Sequence, residues 1–160
     1  MIRVEREHRF DCSVEAGFAY ITDLANWPAY WPGFVRLLPG SRWQEPGDEA
    51  AMVVRLLGRD VELRMTLRRR EANRFVEYTS RQAGLPDARH ERHFAEDQGG
   101  MRYRLVVEYA PRPGLRSISD RFLVRRGVER AMRETITSLE ARLGQQPGRQ
   151  ASNPTAGRRG

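Results

Sequence analysis

Three histidines, one cysteine and no lysine bound the chemistry open to this 160-residue chain. With every basic residue an arginine, Schiff-base formation and lysine nucleophiles are excluded. His8 is the first candidate for proton transfer, since an imidazole titrates near working pH. It shares one face of an alternating run with Val4, Arg6 and Phe10, and alternation aims it inward. The competing reading is a histidine hydrogen-bonded inside the fold or meeting solvent at the strand end. His90 and His93 resemble a metal pair, yet three positions apart on a strand they point to opposite faces, and no metal site is expected. Cys12 precedes a helix N-terminus, but thiol reactivity requires a particular electropositive setting, so it reads as structural. One cysteine excludes an internal disulfide and a multi-cysteine zinc site. No Ser-x-Gly elbow, phosphate loop or paired-glycine dinucleotide motif occurs, and no cofactor is expected.

The elements that position these groups follow from periodicity. Residues 2–11 form a strand with Ile2, Val4, Arg6, His8 and Phe10 on one face. Ser13 caps a short helix to about Thr22, with Glu15 in its first turn. A second short helix, about Leu24 to Tyr30, is interrupted by Pro28 and ended by Pro32-Gly33. Six strands follow: Val35 to Trp43, Ala50 to Leu57, Asp60 to Arg69, Phe75 to Gln82, Ala88 to Ala95 and Met101 to Ala110. Glu45-Pro46-Gly47-Asp48, Gly58-Arg59, Glu71-Ala72-Asn73, Gly84-Leu85-Pro86 and Asp97-Gln98-Gly99-Gly100 are the turns between them. Pro111 to Gly114 closes the strand section. Ser117 to Leu143 then reads as one amphipathic helix, capped by Ser117 or Ser119 and ended by Gly144. The polar residues 144–160 are expected to be a disordered tail behind a single domain, 1–143. A largely antiparallel sheet of seven strands must cover its inner face, and the long helix is the element large enough to do so.

The net charge is +7, of which Arg149, Arg158 and Arg159 in the tail supply +3. The other +4 is spread over a body carrying 21 acidic residues, which suits a solvated surface more than a phosphate-binding stripe, so nucleic acid is not the expected partner. The runs Arg68-Arg69-Arg70 and Arg125-Arg126 read as solvated, with contact to anionic membrane lipid during ligand transfer as a second reading. No apolar run approaches the roughly 18 residues of a membrane span, and MIRVEREHRF has no apolar signal region. The plain expectation is a cytoplasmic protein of bacterial type, a monomer or homodimer.

FDCSVEAGFAYITDLANWPAYWPG resembles the opening of the START-like superfamily, also called the SRPBCC group or helix-grip fold. GGMRYRLVVEYAP is similar to its last strand, and DRFLVRRGVERAMRETITSLEARL to its C-terminal helix. The resemblance spans about residues 2–143. It implies an α+β fold, a seven-stranded curved antiparallel sheet wrapped around a long C-terminal helix, with two short helices after the first strand. It also implies a deep, mainly apolar cavity between sheet and helix, entered near the short helices and hairpin loops. Some members use that cavity for ring closure or dehydration of polyketides; others carry a lipid, sterol, quinone or hormone. The chain lacks the Rieske cysteine/histidine set of the iron-oxygenase branch.

The resemblance turns Phe94 inward, and His90 and Arg92 with it, leaving Glu91 and His93 to water. An inward Arg92 needs a carboxylate or an anionic ligand, since a bare buried charge is costly. Glu77 is one candidate partner, but Val76 and Tyr78 compete with Phe75 for the inner face. In NWPAYWPGF, Trp27 and Phe34 are expected to anchor the bend, with Tyr30 or Trp31 at the cavity mouth. Leu63, Met65, Tyr103, Leu105, Phe122 and Met132 are core candidates, some of which line the cavity. The leading expectation is binding, or transport, of a hydrophobic lipid, quinone or polyketide. The alternative is a polyketide cyclase/dehydrase-type enzyme using His8, or His90 with Arg92, for acid/base chemistry; a module that binds protein or nucleic acid through its arginines is the third and least expected class.

Overall fold

The computed structural model describes residues 1–83, 85–110 and 118–144. Gly84, the Pro111–Gly114 break, the cap Ser117 and the tail beyond Gly144 lie outside these residues. The strands are β1 (Ile2–Phe10), β2 (Phe34–Leu37), β3 (Glu49–Leu56), β4 (Arg59–Glu71), β5 (Phe75–Gln82), β6 (Ala88–Asp97) and β7 (Gly100–Tyr109). The helices are α1 (Val14–Thr22), α2 (Trp27–Tyr30) and α3 (Ile118–Leu143), with a 3-10 turn at Leu24–Asn26.

The strands make one antiparallel sheet in the order β1-β7-β6-β5-β4-β3-β2. Its curved inner face meets the helices, as the helix-grip arrangement requires. Alternation sets that face. In β1, Val4 and Phe10 are buried while Arg3, Glu5, Glu7 and Arg9 are exposed. On β7, Met101, Tyr103, Leu105, Val107 and Tyr109 all turn inward and are buried. Helix α3 packs on β1 and α2 through Met132, Thr135, Leu139 and Leu143, a stripe at helical spacing.

Local rules account for the element ends. Ser13 accepts a hydrogen bond from the Ala16 amide at 3.2 Å, capping α1. The expected helix from Leu24 to Tyr30 is split into the 3-10 turn and α2, next to Pro28. The proline sits in the first turn of α2, where its missing N–H was unpaired anyway. β2 stops at Leu37 rather than Trp43, because Pro39 cannot donate to a ladder and Gly40 takes φ +82°. The β3–β4 turn is Leu57-Gly58, one residue earlier than expected, with both residues at positive φ. Gly33 holds φ +66°, and a Cβ there would stand 2.6 Å from the Arg55 carbonyl, so glycine alone lets the WPG bend lie on β3.

One correction concerns the arginine run. A β-bulge between Leu67 and Arg69 shifts the parity of β4, so Arg70 turns inward instead of standing in solvent. Its guanidinium donates to the Trp43 carbonyl at 2.7 Å, Gln44 Oε1 at 3.0 Å and Thr22 Oγ1 at 3.3 Å, and lies over the Phe18 ring. It ties α1 to the β2–β3 connection. Arg70→Ala is expected to lower the unfolding free energy by about 2–3 kcal/mol, as loss of charge-assisted bonds does. The solvent-facing Arg68→Ala should stay within about 0.5 kcal/mol of the parent. Urea unfolding of the two variants, with unchanged slopes, checks this.

Candidate functional site

A guanidinium buried without a carboxylate marks the site. Arg92 is 6% exposed at the middle of β6, flanked on the inner face by Val76 of β5 and Leu105 of β7. Its Nη1 donates to the Tyr30 hydroxyl and its Nη2 to the Tyr78 hydroxyl, each at 3.2 Å. The rings of Trp31, Tyr78 and Tyr30 surround the cation at 5.3, 5.4 and 5.9 Å. No acidic side chain pairs with it among the described residues. The arginine's Nε and the Tyr103 hydroxyl are both buried without a hydrogen-bond partner among the described residues.

Glu77 is not the counter-ion. Val76 and Tyr78 take the inner face, which puts Glu77 outside, 2.8 Å from Arg89. Phe75 is outside too, against His93 and under Arg69. His93 bonds Glu91 on that face at 2.8 Å, so the two histidines of β6 do point apart. His90 faces inward, stacked on Tyr78 at 4.5 Å with its Nε2 2.8 Å from Ser80 Oγ.

The electrostatics follow from burial. Desolvation opposes the Arg92 charge most strongly, but the surrounding Tyr103, Tyr78 and Tyr30 hold it protonated, well above the ordinary value. Burial, reinforced by the Arg92 charge, pushes His90 down to about 3, so it is a neutral imidazole at pH 7. Burial raises Tyr30 to about 12 and Tyr103 further still, with Arg92 pulling back on both. The site is thus a fixed cation ringed by protonated phenols.

The bend residues take distinct places. Trp27 is 1% exposed, donates to the Ile21 carbonyl and packs on Trp43 and Trp31. Tyr30 also donates to that carbonyl, at 2.6 Å, which leaves its lone pairs for Arg92. Phe34 packs partly buried on the core, and Trp31 is half-buried over the guanidinium. Met65, Tyr103, Leu105 and Met132 are buried, and Leu63 borders them. Phe122 departs from expectation. It is 58% exposed near the start of α3, because the buried stripe of that helix is carried by residues from Met132 onward.

His8 stands opposite Tyr103 in the β1–β7 pairing but makes no hydrogen bond or ring contact with Arg92. Its Nε2 lies 2.7 Å from Glu140 Oε2, in an open groove with Ile136, Thr137, Ala141 and Gly144. That groove is a surface feature where β1 meets the end of α3. The buried cation, with its idle donors, is the stronger mark of a ligand. Tyr78 and Ser80 belong to the site and were not singled out from sequence; fixing the parity of β5 would have found both.

The architecture is the helix-grip fold of the START-like superfamily. It is shared with a START superfamily protein of Mycobacterium smegmatis (10% identity, TM-score 0.74, 91% of this chain and 99% of that one). A Thermus thermophilus protein is similar at 17% identity and TM-score 0.74, over 89% and 97% of the two chains. The di-domain ARO/CYC StfQ of the steffimycin biosynthetic pathway matches at 15% identity and TM-score 0.75, over 89% of this chain and 50% of its own length. The family profile for polyketide cyclase/dehydrase and lipid transport proteins matches residues 1–144, and the chain belongs to that family. No curated protein matches it in sequence. No helix among the described residues is long and apolar enough to cross a membrane.

Proposed function

We propose that the protein binds an amphiphilic small molecule between sheet and helix, with an anionic oxygen on Arg92. The carrying observation is the buried guanidinium with no carboxylate partner among the described residues. Burying a bare charge costs several kcal/mol, which an anionic ligand offsets when bound. The idle Nε–H of Arg92 and the hydroxyl of Tyr103 are donors for that oxygen. Met65, Leu105 and Met132 offer an apolar, adaptable lining for the rest of the molecule. Trp31, half-exposed over the cation, is the ring that a ligand displaces to reach it.

A matched series tests the head group. Saturated chains of equal length ending in a carboxylate, an alcohol or a methyl ester are compared by thermal shift. The carboxylate should raise the melting temperature most, with about 2.7 kcal/mol of stabilisation at a hundredfold excess over Kd. Equal shifts for acid and alcohol would show that Arg92 does not read the ligand. No shift from any of them would remove support for amphiphile binding. Trp31→Ala should weaken carboxylate binding more than it lowers the melting temperature; the reverse would make this ring a structural plug.

A second reading rests on the same atoms. A guanidinium beside protonated phenols can stabilise an enolate oxygen, which is what ring closure of a polyketide requires. In that reading Arg92 holds the developing charge and Tyr103 donates a hydrogen bond. His90 serves as a neutral hydrogen-bonding group, since an imidazole titrating at about 3 is a weak base near pH 7. His8, held by Glu140 away from Arg92, is the test of this division. His8→Ala should leave carboxylate binding intact, and loss of binding would bring His8 into the site.

A further inference from the structure

We propose that the β3–β4 hairpin is a docking tip for the surface of an anionic lipid bilayer. Its turn is Leu56-Leu57-Gly58-Arg59, with Leu57 101% and Leu56 41% exposed. Leu57 takes φ +48° and Gly58 φ +78°. Asparagine, aspartate or glycine suits the first of these positions, whereas a bulky side chain at positive φ is strained. Here a leucine occupies it with its side chain wholly in solvent, so nothing within the fold repays either the strain or the exposure.

The tip projects past both neighbouring strands. β5 ends at Gln82, opposite Leu63, and β2 reaches no further along β3 than Val54, so Leu56 to Arg59 extend beyond both. Around the leucines the charge is cationic. Arg55 is held by Asp60 at 2.8 Å, and Arg36 is near enough to help depress that carboxylate. Arg36 and Arg59 are exposed, and their side chains have no ion pair or hydrogen bond among the described residues.

Shape and charge together select the partner. A projecting point of two leucines is far short of the roughly 800 Å² per partner that a stable protein interface buries. It does suit a fluid interface, where leucines enter the acyl boundary and arginines meet anionic head groups. The tip is also tied to the site, because the Arg55 amide donates to the Gly33 carbonyl at 2.7 Å, two residues from Trp31. Docking at the hairpin would hold the Trp31 bend next to the bilayer. The inference rests on the hairpin alone and stands whether or not Arg92 reads a ligand.

The test is sedimentation of the full chain with phosphatidylcholine vesicles, with and without phosphatidylglycerol. Binding is expected to the phosphatidylglycerol vesicles at low salt and to fall as salt rises, because surface attraction is screened beyond about 10 Å at 0.1 M. Leu57→Asn combined with Leu56→Ser should weaken binding by about tenfold or more, through lost apolar insertion. Asparagine fits the turn, so the melting temperature should hold or rise. Absence of binding to phosphatidylglycerol vesicles at low salt overturns the proposal. Equal binding by the double variant overturns it too, leaving only diffuse charge attraction. A concentration-dependent dimer that the same substitutions dissolve would assign the tip to a second copy of the chain instead.

Discussion

Arg92→Met is expected to lower affinity for carboxylate ligands by about 30-fold or more while leaving the fold as stable as the parent. Removing a buried charged partner from a ligand's oxygen typically costs about 2–5 kcal/mol. Stability should behave in the opposite way from that of a structural arginine. Breaking a buried ion pair costs about 3–5 kcal/mol because a charge is left alone. Here Arg92 has no acidic partner to strand among the described residues, and its own desolvation is relieved when it goes. Against that stand the bonds to Tyr30 and Tyr78 and three aromatic contacts. These terms are of similar size, so a melting temperature equal to or above the parent's is the expected result. Thermal unfolding and carboxylate titration on the same sample read both effects. A loss of several kcal/mol would show that the guanidinium holds the sheet to α2 and is there for the fold. A functional group that the fold would be no worse without is the usual mark of a binding site.

Acidification should unfold the protein early, and His90 should be the reason. Its imidazole titrates at about 3 in the folded chain, against about 6.5 when unfolded. Between these values the unfolded state binds the extra proton. The contribution is therefore complete above pH 6.5 and is lost as pH falls towards 3, at about 1.4 kcal/mol per pH unit. Between pH 6.5 and 5 that is about 2 kcal/mol, before most carboxylates take up protons. His90→Phe keeps a ring against Tyr78 and removes the titration, so its stability should be nearly flat over that interval. Urea unfolding at stepped pH measures the slope. A parent whose slope matches that of His90→Phe would show that water reaches the imidazole and that the inner face is not closed around Arg92.

Much of the fold is written in local pattern. The alternation of β1, the Ser13 cap, the bounds of β5 and the later part of the α3 stripe, from Met132 to Leu143, each depend on neighbours in sequence, and the structure keeps them. What escapes depends on breaks in a period or on distant partners. The bulge at Arg68 reverses the parity of β4, so no count of alternating residues places Arg70 inward. The pairing of His8 with Glu140 joins residues 132 positions apart, and nothing in either neighbourhood announces it. The site lies between these cases. Phe94 sets the facing of His90 and Arg92, and the structure keeps the phase of that strand. Glu77 stays open in the sequence because apolar residues stand at both phases of β5. Pairing with β6 decides it, putting Tyr78 opposite His90 and Glu77 opposite Glu91.

The place of β1 beside β7 governs the order in which the chain can fold. Residues 2–10 pair with residues 101–109, so the first strand made has no partner until most of the chain exists. β2 to β7 form a run of neighbours, each pairing with the next, and can assemble as they emerge. β1 waits, and α3, which rests on β1, waits with it. Such long-range closure carries a loop entropy that must be met before its contacts form, and sheets of this kind fold on the order of milliseconds to seconds. During that interval the inner face of β7 stands open beside an unpaired edge. The arginine–glutamate ladder that later joins Arg3 to Glu108 and Arg104 to Glu5 puts charge on the two strands that meet last. Charge of that kind discourages an unpaired edge from joining the wrong sheet.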